Sequence, residues 1–157
     1  MPIREAKPTE IPDILEIWEI SVRGSHSFLN EDDIIFIRDQ LKEILPGHRG
    51  LFVWEENSLL RGFMGLSANR DDEESVLYVD MLFVLPECQN KGIGTAFLNY
   101  AKNRSTRVFL EVNPDNSSAV KFYESRGFGF FRRNPDDHPF GLPYPVNVYS
   151  WEKDSSR

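Results

Sequence analysis

Between Leu51 and Leu85 three strand-like runs follow one another with no helical run between them. A chain that does this is not a strictly alternating βαβ fold of the doubly wound nucleotide-binding kind. The first run is Leu51–Trp54, and Glu55-Glu56-Asn57-Ser58 forms a turn. Leu59–Leu66 returns, which completes a hairpin. Gly62 and Gly65 weaken that second strand and mark a bulge or a close approach. After the acidic loop Arg70–Glu74 comes the apolar run Val76–Leu85, interrupted by Asp80 and stopped by Pro86.

Two helical patterns precede these strands. Ile11, Ile14, Leu15, Trp18 and Val22 recur at spacings of three and four, so they share one face. Thr9 is placed to cap that helix, Pro12 falls in its first turn, and Gly24 breaks it. Asn30 with Asp33 reads as a cap for the second helix, with Ile34, Ile37, Leu41 and Ile44 on its buried face and Pro46-Gly47 at its end. Downstream, Gly92–Asn103 is helical with Ile93, Phe97 and Ala101 on one side. Val108–Val112 is a buried strand and Ser117–Arg126 a short helix stopped by Gly127. Phe128–Arg132 and Val146–Trp151 are closing strands around a polar, proline-rich loop, Arg133–Pro145. With a short first strand, Ile3–Ala6, the order is β-α-α-β-β-β-α-β-α-β-β. It predicts an α+β fold with a mixed, mainly antiparallel central sheet flanked by helices.

At 157 residues the chain is expected to form a single domain, residues 1–157. Its 18 basic residues against 25 acidic ones give a net charge of −7, a poor basis for broad binding to nucleic acid or an anionic membrane. Its one cysteine, Cys88, cannot pair internally. Histidines at 26, 48 and 138 are too dispersed for a structural zinc site, so no metal is expected. With no apolar run of ~18 residues and no apolar signal core at the N-terminus, a cytoplasmic location is expected.

The chemistry-bearing stretch is Leu82–Ala96: a buried strand, a short loop with Gly92 and Gly94, then a helix. Glycines let backbone N–H groups converge, and the helix N-terminus adds a positive dipole end, so this is an anion cradle. Taken alone, Gly-x-Gly equally describes a tight strand-to-helix turn. A Walker loop is excluded because Gly-Lys-Ser/Thr does not follow, and a dinucleotide fingerprint because Phe97 stands where its third small residue belongs.

The whole pattern is more specific. Gln89-x-x-Gly92-x-Gly94 after Phe83-Val84-x-Pro86 resembles the acetyl-CoA pyrophosphate signature of the GNAT superfamily of N-acetyltransferases. Leu110-x-Val112-x-x-x-Asn116-x-x-Ala119-x-x-x-Tyr123-x-x-x-Gly127-Phe128 resembles that family's later strand and helix. The resemblance runs from about Ile3 to Trp151. The N-terminal helix, the Ser25–Leu29 loop and Pro143-Tyr144-Pro145 are similar to small bacterial single-domain members. Gln89 departs from the Arg that many members carry, which removes one positive charge near the pyrophosphate.

The resemblance implies an enzyme with acetyl-CoA as co-substrate and direct acetyl transfer to a primary amine through a ternary complex. It places pantetheine in a cleft against the backbone of Leu82, Phe83 and Val84. It puts the pyrophosphate on Gln89, Asn90, Lys91, Gly92, Ile93, Gly94 and Thr95, and gives Asn116 a hold on the pantetheine arm. Asn116 is also a natural cap for the helix that follows. Tyr123 falls at the position of the general acid, whose phenol protonates the leaving thiolate and contacts the cofactor; its other reading is a core tyrosine beside Phe122. A backbone N–H near Phe83 serves as oxyanion donor.

A lysine-like amine with pKa ~10.4 is neutral in only about one part in a few thousand at pH 7, so a base is needed. Asp80 is one candidate: in an apolar strand it would have a raised pKa if buried and unpaired, though it can equally line a cleft or pair with an arginine. His26 is its rival, in a loop that walls the acceptor side in this family. Phe28, His138 and Tyr144 are further acceptor-side candidates, whereas His48 reads as surface and Cys88 as structural. The acceptor is expected to be a small-molecule amine or a protein lysine or N-terminus, and the protein a monomer or homodimer. A non-catalytic acyl-CoA sensor on the same fold is the alternative, but it would need neither Tyr123 nor Asp80.

Overall fold

The computed structural model describes residues 2–68, 75–134 and 146–154. The chain divides into two compact units, Met1–Gly65 with Met81–Phe97, and Leu66–Asp80 with Leu98–Arg157.

In the first unit, β1 (Ile3–Glu5) and β2 (Leu51–Glu56) are antiparallel, as are β2 and β3 (Leu59–Ala68). The end of β4 (Val76–Val84) follows β3, giving the order β1-β2-β3-β4. The β2–β3 turn is tighter than the sequence suggests. β2 runs on to Glu56, and only Asn57 and Ser58 turn, with φ of 53° and 64°. Two consecutive positive φ values make the two-residue turn whose twist matches a hairpin.

Helix α1 (Ile11–Ser25) and helix α2 (Glu31–Ile44) depart from expectation at their ends. Thr9 is not a cap. Pro8–Glu10 forms a single 3-10 turn, and Glu10 stands at the N-cap of α1. Gly24 does not break α1, which continues to Ser25. Asn30 does cap α2: its side chain accepts from Asp33 N–H at 2.8 Å, and Asp33 accepts in return from Asn30 N–H at 3.2 Å. Ile44 is 45% exposed. Its expected place belongs to Leu45, at 1%: Leu45 N–H still donates to the Leu41 carbonyl, so Leu45 lies one α-helical turn after buried Leu41. Ile14, Val22, Leu45, Val53, Phe63, Met64 and Phe97 fill this unit's interior.

In the second unit, β3 and β4 lead into β5 (Arg107–Val112), β7 (Val146–Glu152) and β6 (Gly129–Asn134), in the order β3-β4-β5-β7-β6. Among the strand pairings described, only β4–β5 is parallel, joining Val76–Val79 to Arg107–Leu110. Helix α3 (Ile93–Lys102) begins in the first unit and ends in the second. It buries Ile93, Phe97 and Ala101, the face read from the sequence. Helix α4 (Ser117–Ser125) starts at Asn116, whose Oδ1 accepts from Ala119 N–H at 3.4 Å and from Ser118 Oγ at 3.3 Å. It ends at Gly127, φ +90°, whose N–H donates to the Glu124 carbonyl. Lys102 Nζ donates to the Arg126 carbonyl and lies over the rings of Phe128 and Trp151, which secures the end of the helix that carries Tyr123.

Candidate active site

Glycine lets β3 approach β4. A Cβ on Gly62 would meet the Phe83 carbonyl oxygen at 2.8 Å, and one on Gly65 would meet Met81 Cε at 2.9 Å. Both glycines are therefore sites of close approach, the second of the two sequence readings. Leu85 N–H donates to the Arg61 carbonyl at 2.9 Å, so residues 83 and 85 turn their amides toward β3. Because peptide groups alternate along a strand, the N–H and C=O of Leu82 and Val84 face the other way. The amide of Phe83 itself is thus directed at β3, and those of its two neighbours make the outward-facing pair. The Val84 carbonyl accepts from Gln89 Nε2 and Ser21 Oγ, both at 3.3 Å.

Beyond β4, Pro86–Cys88 makes one 3-10 turn and the chain bends through Asn90 (φ +65°) and Gly92 (φ +86°). The Gly92 carbonyl accepts from Ala96 N–H at 2.9 Å, which makes Gly92 the N-cap of α3. The amides of Ile93, Gly94 and Thr95 then have no carbonyl one turn earlier in the helix to bind. Gln89, Asn90, Lys91 and Gly92 are exposed, and Gly94 and Thr95 half-buried. Converging amides, a positive helix end and Lys91 suit a diphosphate. Cys88 is buried and free.

In the first unit the structure also brings His26 to this strand. The imidazole lies 6.2 Å from the Phe83 ring and 5.4 Å from the Phe28 ring, and Phe83 in turn stacks on Phe63 at 5.6 Å. Desolvation lowers the His26 pKa, so the ring is neutral at pH 7. Ser25 Oγ stands 2.7 Å from His26 Nδ1, a partner not singled out from sequence although the Ser21-x-x-x-Ser25 spacing stacks the two serines on α1. His48 is half-buried rather than on the surface. Its Nδ1 accepts from Gly50 N–H at 3.1 Å, and its ring packs over Gly65.

In the second unit Asp80 is exposed rather than buried, and it accepts from Ser67 Oγ at 3.1 Å. Asn116 is buried, with its oxygen engaged in the cap. Tyr123 leans on Phe122 and Phe128 at ring distances of 5.5 and 6.1 Å. Burial pushes its phenol up to about 12, so it is a proton donor throughout the neutral range. His138 and Tyr144 lie outside the described residues. Among the described residues no group of three or more His, Cys, Asp or Glu could hold a metal ion. No helix there is long and apolar enough to cross a membrane.

A strand with outward-facing amides leading into a glycine turn and a helix start could hold an extended ligand ending in a diphosphate. Consistent with that class, the sequence profile of the Acetyltransferase (GNAT) family matches residues 11–130. The chain belongs to this family and is an N-acetyltransferase, with acetyl-CoA as the family's acetyl donor. It is 33% identical over 130 residues to the peptidyl-lysine N-acetyltransferase YiaC of Escherichia coli, covering 80% of this chain and 82% of that protein. The peptidyl-lysine N-acetyltransferase YjaB of Escherichia coli is 28% identical over 144 residues, 92% of each chain. The solution structure of apo-form YjaB superposes with a TM-score of 0.82, covering 96% of this chain and 97% of that one. The paia N-acetyltransferase of Thermoplasma acidophilum, solved with coenzyme A, shares the fold at 20% identity and a TM-score of 0.78, covering 96% and 97% of the two chains.

Proposed function

We propose that this protein transfers acetyl from acetyl-CoA directly to the primary amine of a protein lysine, with both substrates bound together. The observation that carries the reading is the run Leu82–Thr95, in which outward-facing strand amides lead into a positive-φ turn and a helix N-terminus. Leu82 and Val84 would hold the pantetheine amides, and Gln89–Thr95 the diphosphate, with Lys91 supplying charge that Gln89 does not. Asn116 would reach the pantetheine arm through Nδ2, since its Oδ1 serves the helix cap.

When bound, acetyl-CoA supplies an activated acyl group with a thiol leaving group. Tyr123 holds the proton that the thiolate needs, and its raised pKa keeps that proton in place until transfer. The outward N–H groups beside Phe83 would steady negative charge on the thioester oxygen. His26, neutral beside Phe83, is the group we favour to take the amine's proton, with Asp80 as the second candidate. Lysine as acceptor is supported by two relatives named peptidyl-lysine N-acetyltransferases, and the net charge of −7 favours approach of a cation.

The test is thiol release from acetyl-CoA with a panel of lysine peptides, N-terminal peptides and small amines. Faster release with lysine peptides supports the reading. Acetyl-CoA binding without release on any amine overturns it.

A further inference from the structure

We propose that Ser25 is a positioning residue that fixes His26 in the Nδ1–H tautomer and so presents Nε2 as the site that accepts the amine's proton. The proposal rests on the acetyltransferase reading above and adds the atom and the device that sets it.

A serine hydroxyl has a single proton to give. Ser25 Oγ lies 2.9 Å from the Ser21 carbonyl oxygen, which can only accept, so that proton is spent there. The same oxygen lies 2.7 Å from His26 Nδ1. Both contacts are hydrogen bonds only if Nδ1 carries the ring proton and donates it to Ser25 Oγ. Nε2 then holds the lone pair. The backbone fixes the ring's origin as well: His26 N–H donates to the Val22 carbonyl at 2.8 Å, and the His26 carbonyl accepts from Leu29 N–H at 3.0 Å. Phe28 and Phe83 confine the ring itself.

Several charged groups of the neighbouring elements are engaged with other partners. On α1, Arg23 pairs with Glu19 and Glu31, the latter at the start of α2. Asp33 closes the Asn30 cap. Glu87 lies in the turn whose Pro86 would meet a Cβ on Gly24, and it is exposed. Desolvation alone accounts for the state of His26.

In the step proposed, an N–H bond of the acceptor's ammonium breaks and an Nε2–H bond forms. The electron pair stays on the amine nitrogen, and the imidazolium later returns its proton to water. Ser25 gains and loses nothing.

Nitrogen-detected NMR of ¹⁵N-histidine-labelled protein at pH 8 should show His26 as the Nδ1–H tautomer. Ser25→Ala should move it toward Nε2–H and lower kcat on a lysine peptide about tenfold, less than the ~10²–10⁴ of an acid–base group lost outright. The KM for acetyl-CoA should hold, and Ser25→Thr should restore both tautomer and rate. Nε2–H in the wild type overturns the proposal, as does an unchanged pH–rate profile in a folded Ser25→Ala. If the wild type transfers acetyl while Ser25→Ala is unaffected, only this inference fails. A wild type that transfers to no amine overturns the enzymatic reading, and with it the proton-accepting role.

Discussion

A Cβ on Gly62 would stand 2.8 Å from the carbonyl oxygen of Phe83 and 3.4 Å from Val84 Cα. Both neighbours are main-chain atoms, so neither can rotate away. Gly62→Ala should therefore destabilise the protein by about 1–3 kcal/mol, the usual scale for overpacking. It should also weaken acetyl-CoA binding, because the strand displaced is the one proposed to hold pantetheine. Denaturant midpoints and calorimetry read the two effects separately. An unchanged midpoint would mean that β3 and β4 tolerate a wider spacing.

Gly94 lies in the first turn of α3, among amides that lack a partner one turn earlier. Gly94→Glu places a carboxylate where the diphosphate is proposed to lie. Acetyl-CoA binding by calorimetry should be lost, while the thermal midpoint stays close to wild type because an acid at a helix start is tolerated. Undiminished affinity in the folded variant would move the diphosphate off this loop.

Tyr123→Phe keeps the ring against Phe122 and Phe128 and removes only the proton. The turnover number should fall by roughly 10²–10⁴, with little change in the KM for acetyl-CoA. Linkage supplies a second readout. The phenol ionises near 10 in the unfolded chain and at about 12 in the fold. Its contribution to stability is whole below the lower value and is lost as pH rises through the upper one. Wild type should therefore lose more thermal stability than Tyr123→Phe between these pH values.

His26 and Asp80 are separated by pH. The His26 pKa is lowered by desolvation, so kcat/KM should fall on the acidic side at a midpoint below about 6.5. His26→Gln should flatten that limb, and Asp80→Asn should leave it in place. The same shift makes His26's contribution to stability complete above its unfolded value and lost as pH falls through the folded one. A limb that vanishes in Asp80→Asn and persists in His26→Gln would reverse the assignment.

Local signals made much of this legible from sequence. The Asn30–Asp33 box, the α3 face and the Gly127 stop are each decided by residues within about one turn. The misreadings all depend on what the chain does next. Pro8 opens a 3-10 turn and displaces the start of α1 past Thr9. Helix α2 carries on for one more residue, so Leu45, four after Leu41, takes the core place read for Ile44. Most of the proposed cofactor side is contiguous, Leu82–Thr95, so its motif is visible as a string. The proposed acceptor side is not. His26 reaches Phe83 across 57 positions of sequence, and its tautomer depends on which way a serine hydroxyl points. No periodicity encodes either.

The two long hydrogen bonds on the Val84 carbonyl have a bearing on how this protein behaves in solution. A strand edge with open acceptors is a template on which a stray segment of another chain can build, and that is how many sheet proteins begin to aggregate. Here Gln89 and Ser21 already occupy the outward carbonyl at the end of β4. Contacts at 3.3 Å are weak enough for a well-matched ligand to displace, yet they deny a poorly matched strand its first foothold. The edge is guarded against its own kind, and the same weak contacts would yield to the pantetheine proposed to lie there.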